Sequence, residues 1–222
     1  MTFQKGGSHT VLNRPPYAES PLDTMAKSTS HPLLILASAS PRRKALLCQI
    51  GVEVDKVIPA DINEDPIKGE LPKAHALRLA REKALKIYND NMRSGAIILA
   101  ADTVVGVGRR ILPKVETRQQ AEDCLRLMSG RAHRVFTGVA VINPQGVLRD
   151  RVVETRLKVK VLSDTELENY LESGEWSGKA GGYGIQGRAA GFIPFMSGSY
   201  SNVVGLPLFE SLKLLRASGY SL

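Results

Sequence analysis

Apolar and polar positions along the chain switch between two periods, and the switches outline the elements. The run Leu33-Leu34-Ile35-Leu36-Ala37 has the length and continuity of a buried strand and gives way to Ser38-Ala39-Ser40-Pro41-Arg42-Arg43, then to a helical pattern over residues 44–50. This predicts strand, tight turn and helix. Ser40 is placed as N-cap and Pro41 at the first helical position, where its fixed φ is already helical and its missing N–H costs nothing. Gly51 suits a C-cap, and residues 52–59 have the β-branched content of a short strand. Pro66 and Gly69 break the acidic stretch Asp61, Glu64 and Asp65, which predicts a loop. Between Pro72 and Tyr88 the residues Leu77, Ala80, Ala84 and Ile87 recur at helical spacing. Residues 96–101 form a second continuous apolar run, expected to end as a strand at Asp102-Thr103. Gly106, Gly108 and Arg110-Ile111-Leu112 predict a hairpin that delivers Lys114. Thr117 with Gln120 makes a capping box for a helix through Met128. Residues 135–142 and 147–161 read as strands around a turn at 143–146, the second alternating with Val153, Thr155, Leu157, Val159 and Val161 on its buried face. Ser163 with Glu166 caps a short helix ending at Gly174, and Pro207 starts a closing helix through Arg216. Residues 1–31 show neither period; Pro15, Pro16, Pro21, Gly6 and Gly7 predict a disordered leader, and Glu19 and Asp23 argue against a transit peptide.

A chain of 222 residues with 43% hydrophobic content can bury a full core, so residues 32–222 are expected to form one domain or two tightly joined lobes. No apolar run reaches membrane-spanning length and the start lacks a secretory pattern, so a cytoplasmic location and no membrane partner are expected. Cys48 and Cys124 each sit inside a helical pattern, which predicts two buried thiols rather than a disulfide. The formal net charge of +8 implies anionic partners, either nucleic acid or phosphorylated small molecules. That excess is spread over the fold without a basic run or interleaved aromatics, which favours a small ligand over nucleic acid.

Candidate chemistry gathers at the turns. Arg42, Arg43 and Lys44 place cations in a first helical turn where the helix dipole is already positive, an arrangement that an anion relieves. Lys83 lies beside the apolar stripe of its helix, either snorkelling to water or facing a site. Asp102 follows an apolar strand, where it serves as a proton acceptor or as an Asx turn. A carboxylate of the acidic loop could hold a divalent cation together with phosphate oxygens. The loop at residues 178–187 contains G-x-G-x-x-G from Gly182 to Gly187, but no strand precedes it, no helix opens within it and no acid follows at about 20 positions, so a dinucleotide fingerprint is not expected. Gln186 can instead read the edge of a base. His9, His31, His75 and His133 are too scattered for zinc, and neither a P-loop nor a nucleophile elbow is present.

Ser38-Ala39-Ser40-Pro41-Arg42-Arg43, Arg81-Glu82-Lys83-Ala84, Ala101-Asp102-Thr103-Val104-Val105, Leu127-Met128-Ser129-Gly130, the run from Lys179 to Gly187, and Gly198-Ser199-Tyr200 with Val204-Gly205-Leu206-Pro207-Leu208 together resemble the Maf family of nucleoside triphosphate pyrophosphatases. The resemblance spans about residues 33 to 219 in consistent order. Threonine after the aspartate and the Tyr-Gly-Ile-Gln-Gly run resemble the branch acting on dTTP and UTP. The resemblance implies an α/β fold of two lobes around an extended mixed sheet with a nucleotide cleft between them, a divalent cation (Mg or Mn), and a possible homodimer. It implies Asp102 as proton acceptor, Arg42, Thr103 and Gln186 as specificity positions, Arg43, Lys83 and Lys114 as phosphate-binding cations, and Ser38 and Glu64 as further polar site residues. Glu64 and Asp102 are the candidate metal ligands on chemical grounds. A house-cleaning enzyme for modified nucleotides and a non-catalytic nucleic-acid binder are the alternatives.

Overall fold

The run after Leu33 forms β1 (Leu34–Ala37), every residue of which is buried, and the turn leads into α1 (Pro41–Gln49). The computed structural model describes Met1 and residues 32–91 and 94–222, and the described residues from 32 onward form one compact unit. The leader reading and its transit-peptide alternative lie outside the described residues. After β2 (Lys56–Val57) come α2 (Pro72–Asp90), β3 (Ile97–Val107), β4 (Arg110–Leu112) and α3 (Arg118–Met128). The chain continues through β5 (Ala132–Ile142), β6 (Leu148–Lys158), α4 (Asp164–Glu172), a 3-10 turn (Arg188–Phe192), β7 (Phe195–Ser197), α5 (Tyr200–Val204) and α6 (Leu208–Ala217).

All seven strands join one mixed sheet in the order β2-β1-β3-β5-β6-β7, with β4 also on β3. β1 is parallel to β2 and β3, while β4, β5, β6 and β7 pair antiparallel. Period-2 alternation along β3 splits the core. Ile98 and Ala100 pack with Ala80, Ala84 and Ile87 of α2 on one face. Ile97, Leu99, Ala101 and Val105 join a larger cluster on the other, with Leu46, Leu47, Met128, Tyr183, Leu206 and Leu215.

The apolar run of residues 96–101 predicts a strand ending at Asp102, whereas β3 continues to Val107. What ends there is its neighbour. β1 pairs with β3 only as far as Ala37 opposite Ala100, and β4 begins its own pairing at Val105, so on that edge residues 101–104 face a gap. Polar side chains appear where the strand outruns its parallel partner. An Asx turn at Asp102 is thereby excluded, because the residue pairs with Gly138 of β5 inside a continuous ladder.

Other differences are local. β6 ends at Lys158, and Val161 is 76% exposed because the chain has left the sheet by then. Cys48 lies on the exposed side of α1, so only Cys124 is the buried thiol expected. Pro207 is the N-cap of α6 rather than its first residue, and β7 and α5 are not among the elements that the sequence pattern predicts. Both capping boxes form, at Thr117 with Gln120 and at Ser163 with Glu166.

Candidate active site

The gap in the edge of β3 opens into a cavity of about 370 Å³, within the usual range of ligand pockets. Alternation along β3 turns Asp102 toward α2 and Thr103 toward the opposite face, so the two neighbours serve different walls. Asp102 is 3% exposed. Lys83 Nζ donates to Asp102 Oδ1 at 2.6 Å and forms an ion pair with Glu64 Oε1 at 2.5 Å. Lys83 shares the inward stripe of α2 with Ala80 and Ala84, and these small side chains leave its stem room to run along the sheet. The ammonium is buried and paired, which excludes the snorkelling reading. Lys114, delivered by the β3–β4 hairpin, donates to the other oxygen of Glu64. Burial pushes the Glu64 carboxyl up, but hydrogen bonds and charge from Lys114 and Lys83 outweigh it and hold the group down at about 2.

The opposite wall is built on Arg43. Its Nε donates to the carbonyl of Gly205 at 2.8 Å, one terminal nitrogen to Ser38 Oγ at 2.9 Å, and the other to Thr103 Oγ1 at 3.3 Å. Ser38 Oγ also accepts from the backbone N–H of Ser40 at 3.1 Å. Ser40 is extended as an N-cap requires, yet its side chain makes no capping bond. Ser40 thus holds the N-cap position expected of it, but its hydroxyl makes no capping bond, and no side chain among the described residues caps the first turn of α1. Burial lowers the Arg43 pKa, with the charge of Asp102 opposing that shift. Thr103 Oγ1 meets Thr137 Oγ1 at 3.0 Å, and Thr137 donates to the Asn202 carbonyl at 2.9 Å. Asn202 is fully buried and donates to Val135 O and Thr155 Oγ1. These bonds seat α5 against β5 and β6, and so fix Gly205 for Arg43. The Ser199 side chain accepts from the Asn202 N–H, so a serine three residues before Asn202 is the local signal that starts α5.

Arg42 and Gln186 also line the cavity, both with exposed side chains, and neither makes an ion pair among the described residues. The structure thus brings Ser38, Arg42, Arg43, Glu64, Lys83, Asp102, Thr103, Lys114 and Gln186 around one cavity. One further cation, Lys179, lines the cavity without being among the site residues that the sequence points to.

Among the described residues there is no group of three or more His, Cys, Asp or Glu placed to hold a metal. Glu64 and Asp102 nevertheless both reach the Lys83 ammonium, so their oxygens converge on one small region. Two hard carboxylates are a donor set that fits Mg²⁺ or Mn²⁺ when phosphate oxygens and water complete the shell. No helix among the described residues is long and apolar enough to cross a membrane.

A buried carboxylate paired with a lysine, beside a cavity lined by several cations at a gap in a mixed α/β sheet, is an arrangement suited to binding a polyanion. Residues 33–218 match the model of the Maf-like protein family, and the chain belongs to that family. It is 57% identical over 189 residues to a dTTP/UTP pyrophosphatase of Caulobacter vibrioides, covering 85% of this chain and 97% of the relative. A dTTP/UTP pyrophosphatase of Brucella abortus is 55% identical over 191 residues, covering 84% and 92%. Among solved structures, a HAM1 protein from Coxiella burnetii aligns with a TM-score of 0.36 and 16% identity over 58% of this chain and 73% of that one.

Proposed function

We propose that this chain hydrolyses dTTP and UTP to the nucleoside monophosphate and pyrophosphate. The observation that carries the reaction is Asp102, a carboxylate 3% exposed yet lining the cavity, held by Lys83 and facing the same space as Arg43. The preference for dTTP and UTP is supported by the names and high identity of the relatives.

Lys83 engages Oδ1 of Asp102, and no hydrogen bond among the described residues engages Oδ2. Oδ2 is therefore the oxygen that accepts a proton from the attacking water. The water oxygen bonds to the α-phosphorus, the bond from that phosphorus to the bridging oxygen breaks, and pyrophosphate leaves with the electron pair. Arg43, Lys83 and Lys114 offset the charge that accumulates on the leaving group, and their fixed hydrogen bonds mean that little reorganisation is needed at that moment. Arg42, Thr103 and Gln186 select the base. Glu64 and Asp102 would hold a divalent cation, which supplies Lewis-acid charge to the phosphate oxygens. Cytoplasmic location and a homodimer follow the family resemblance, and light scattering reads the second directly.

Pyrophosphate release across dTTP, UTP, CTP, 7-methyl-GTP and ITP tests the reading. Release from dTTP and UTP, abolished by EDTA and restored by Mg²⁺ or Mn²⁺, is the expected result. Preference for ITP selects the house-cleaning alternative. Release from none, with salt-dependent binding of RNA or DNA, overturns the assignment.

A further inference from the structure

The glycine loop holds a cation for which the chemistry above has no task. Lys179 lines the cavity, and its Nζ donates to the backbone carbonyl of Glu175. No carboxylate among the described residues pairs with it. The Glu175 carboxylate is turned instead to Arg188, accepting its backbone N–H at 2.8 Å and lying 3.5 Å from its Nε. Burial and then the charge of Arg42 push the Lys179 pKa down, with the charge of Glu175 opposing them, so the two cations repel each other. A partly buried ammonium hydrogen-bonded only to a neutral carbonyl, near a second cation without an ion pair, leaves positive charge that the Glu175 carboxylate offsets only in part.

The loop is shaped around this side chain. A Cβ on Gly184 would stand 2.9 Å from Lys179 Cε and 3.1 Å from Cδ, so the lysine stem lies directly over that backbone. The main chain at Lys179 is tied to the strand side by the N–H of Val115, which donates to its carbonyl at 3.1 Å, and by the bridge between Lys114 and Ala180. Gly187 in turn makes room for the Glu175 carboxylate, which would lie 2.0 Å from a Cβ there. The glycines that imitate a dinucleotide fingerprint thus seat a lysine and its neighbours.

We propose that Lys179 is a substrate-binding residue that grips the phosphate chain of the nucleotide together with Arg42, with Gly184 as its positioning residue. The proposal rests on the pyrophosphatase reading. A phosphate chain is the fitting ligand because two unpaired cations call for an anion, whereas a pyrimidine ring offers only neutral carbonyl acceptors.

The test measures calorimetric binding of inorganic pyrophosphate and of thymidine in EDTA, together with steady-state turnover of dTTP, in wild type, Lys179→Met, Lys179→Arg and Gly184→Ala. Lys179→Met is expected to weaken pyrophosphate binding and raise the KM for dTTP about ten- to a hundredfold while thymidine binds as before. Lys179→Arg recovers most of the loss, and Gly184→Ala moves in the direction of Lys179→Met. If Gly184→Ala does not fold, the two lysine variants carry the test. Unchanged pyrophosphate binding in Lys179→Met, or an equal loss for thymidine, overturns the proposal. Pyrophosphate binding that depends on Lys179 in a protein that turns over no nucleotide would sink the enzymatic reading, and with it the substrate role, while leaving Lys179 as a ligand of the phosphate chain.

Discussion

Lys83 carries its ammonium inward between Ala80 and Ala84 to carboxylates at 2.5 and 2.6 Å, and its removal would leave Asp102 charged and 3% exposed. Breaking a buried pair from one side costs about 3–5 kcal/mol, chiefly through the stranded charge. Lys83→Met is therefore expected to lower stability by that order, and adding Asp102→Asn should restore part of it by removing the charge. Urea unfolding of the single and double variants checks this; a double variant no more stable than Lys83→Met would show that the stranded carboxylate is not the cause. Asp102→Asn alone should cut turnover by about 10²–10⁴, the usual general-base contribution, with nucleotide binding retained. Pyrophosphate release and calorimetry separate those effects, and near-wild-type turnover would remove Asp102 from its role. His133 gives a pH dependence outside the site. It is buried in β5, with Nε2 2.7 Å from the Tyr183 hydroxyl, and burial pushes its pKa down to about 4. Above the unfolded value of about 6.5 the ring is neutral in both states; as pH falls from there toward 4, only the unfolded chain takes the proton. Stability should accordingly drop by about 2 kcal/mol between pH 7.5 and pH 5 through this residue. Urea midpoints at those two pH values test it, because His133→Gln should flatten that part of the dependence.

At the scale of elements, the closeness of α2 to the sheet decides whether Lys83 reaches Asp102. Gly138 of β5 lies opposite Asp102, and a Cβ there would meet the Ala76 carbonyl oxygen at 2.2 Å and its carbon at 2.6 Å. The helix backbone rests on the strand backbone at this point. Lys83 follows Ala76 on the same inward stripe two turns later, so any lift of the helix moves the ammonium. Gly138→Ala is expected to cost about 1–3 kcal/mol by overpacking and to reduce turnover beyond what the loss of folded protein explains. Gly191→Ala is the control, since a Cβ there meets nothing within 4 Å. Thermal melts and pyrophosphate release on both variants read the result, and equal behaviour would deny α2 its role. Elements with strong period or caps, such as α2, α3 and β5, could be read from the sequence because their signals are local. The extent of β3 could not, because Asp102 and Thr103 interrupt an apolar run for a reason that lies in another strand: β1 stops at Ala37. β7 and α5 are three and five residues long and owe their form to partners far along the chain, Arg156 to Lys158 for one and Thr137 with Thr155 for the other. Gly138 was silent for the same reason, since nothing local marks a glycine on which a helix rests.

Across the whole molecule, the cavity draws its walls from the start of α1, the acidic loop, α2, β3, the segment after β4, the glycine loop and the end of α5. The chemistry of most of these residues was legible because cations in a first helical turn and an acid after an apolar run are locally unfavourable without a ligand or partner. Their pairing was not legible: that Glu64 joins Lys83 to Lys114, or that Arg43 spans Ser38, Thr103 and Gly205, depends on contacts between residues up to 162 positions apart. Among the described residues the cavity is lined by Arg42, Arg43, Lys83, Lys114 and Lys179 against only Glu64 and Asp102, so a polyanion would supply the charge the fold lacks there. A ligand touching so many segments binds the folded chain and not the unfolded one, and should stabilise it by about 2.7 kcal/mol at a hundred times its Kd. For a chain of this size that corresponds to a rise in Tm of roughly 5–10 °C. Asp102→Asn makes the measurement possible with dTTP itself, because the nucleotide persists through the melt. The expected result is a concentration-dependent rise with dTTP and UTP, a smaller one with thymidine, and a reduced rise for dTTP when Arg43 is changed to Met in the same background, as the phosphate-binding role proposed for Arg43 requires. A rise of equal size with thymidine and dTTP would mean that the cationic walls contribute nothing to holding the phosphates.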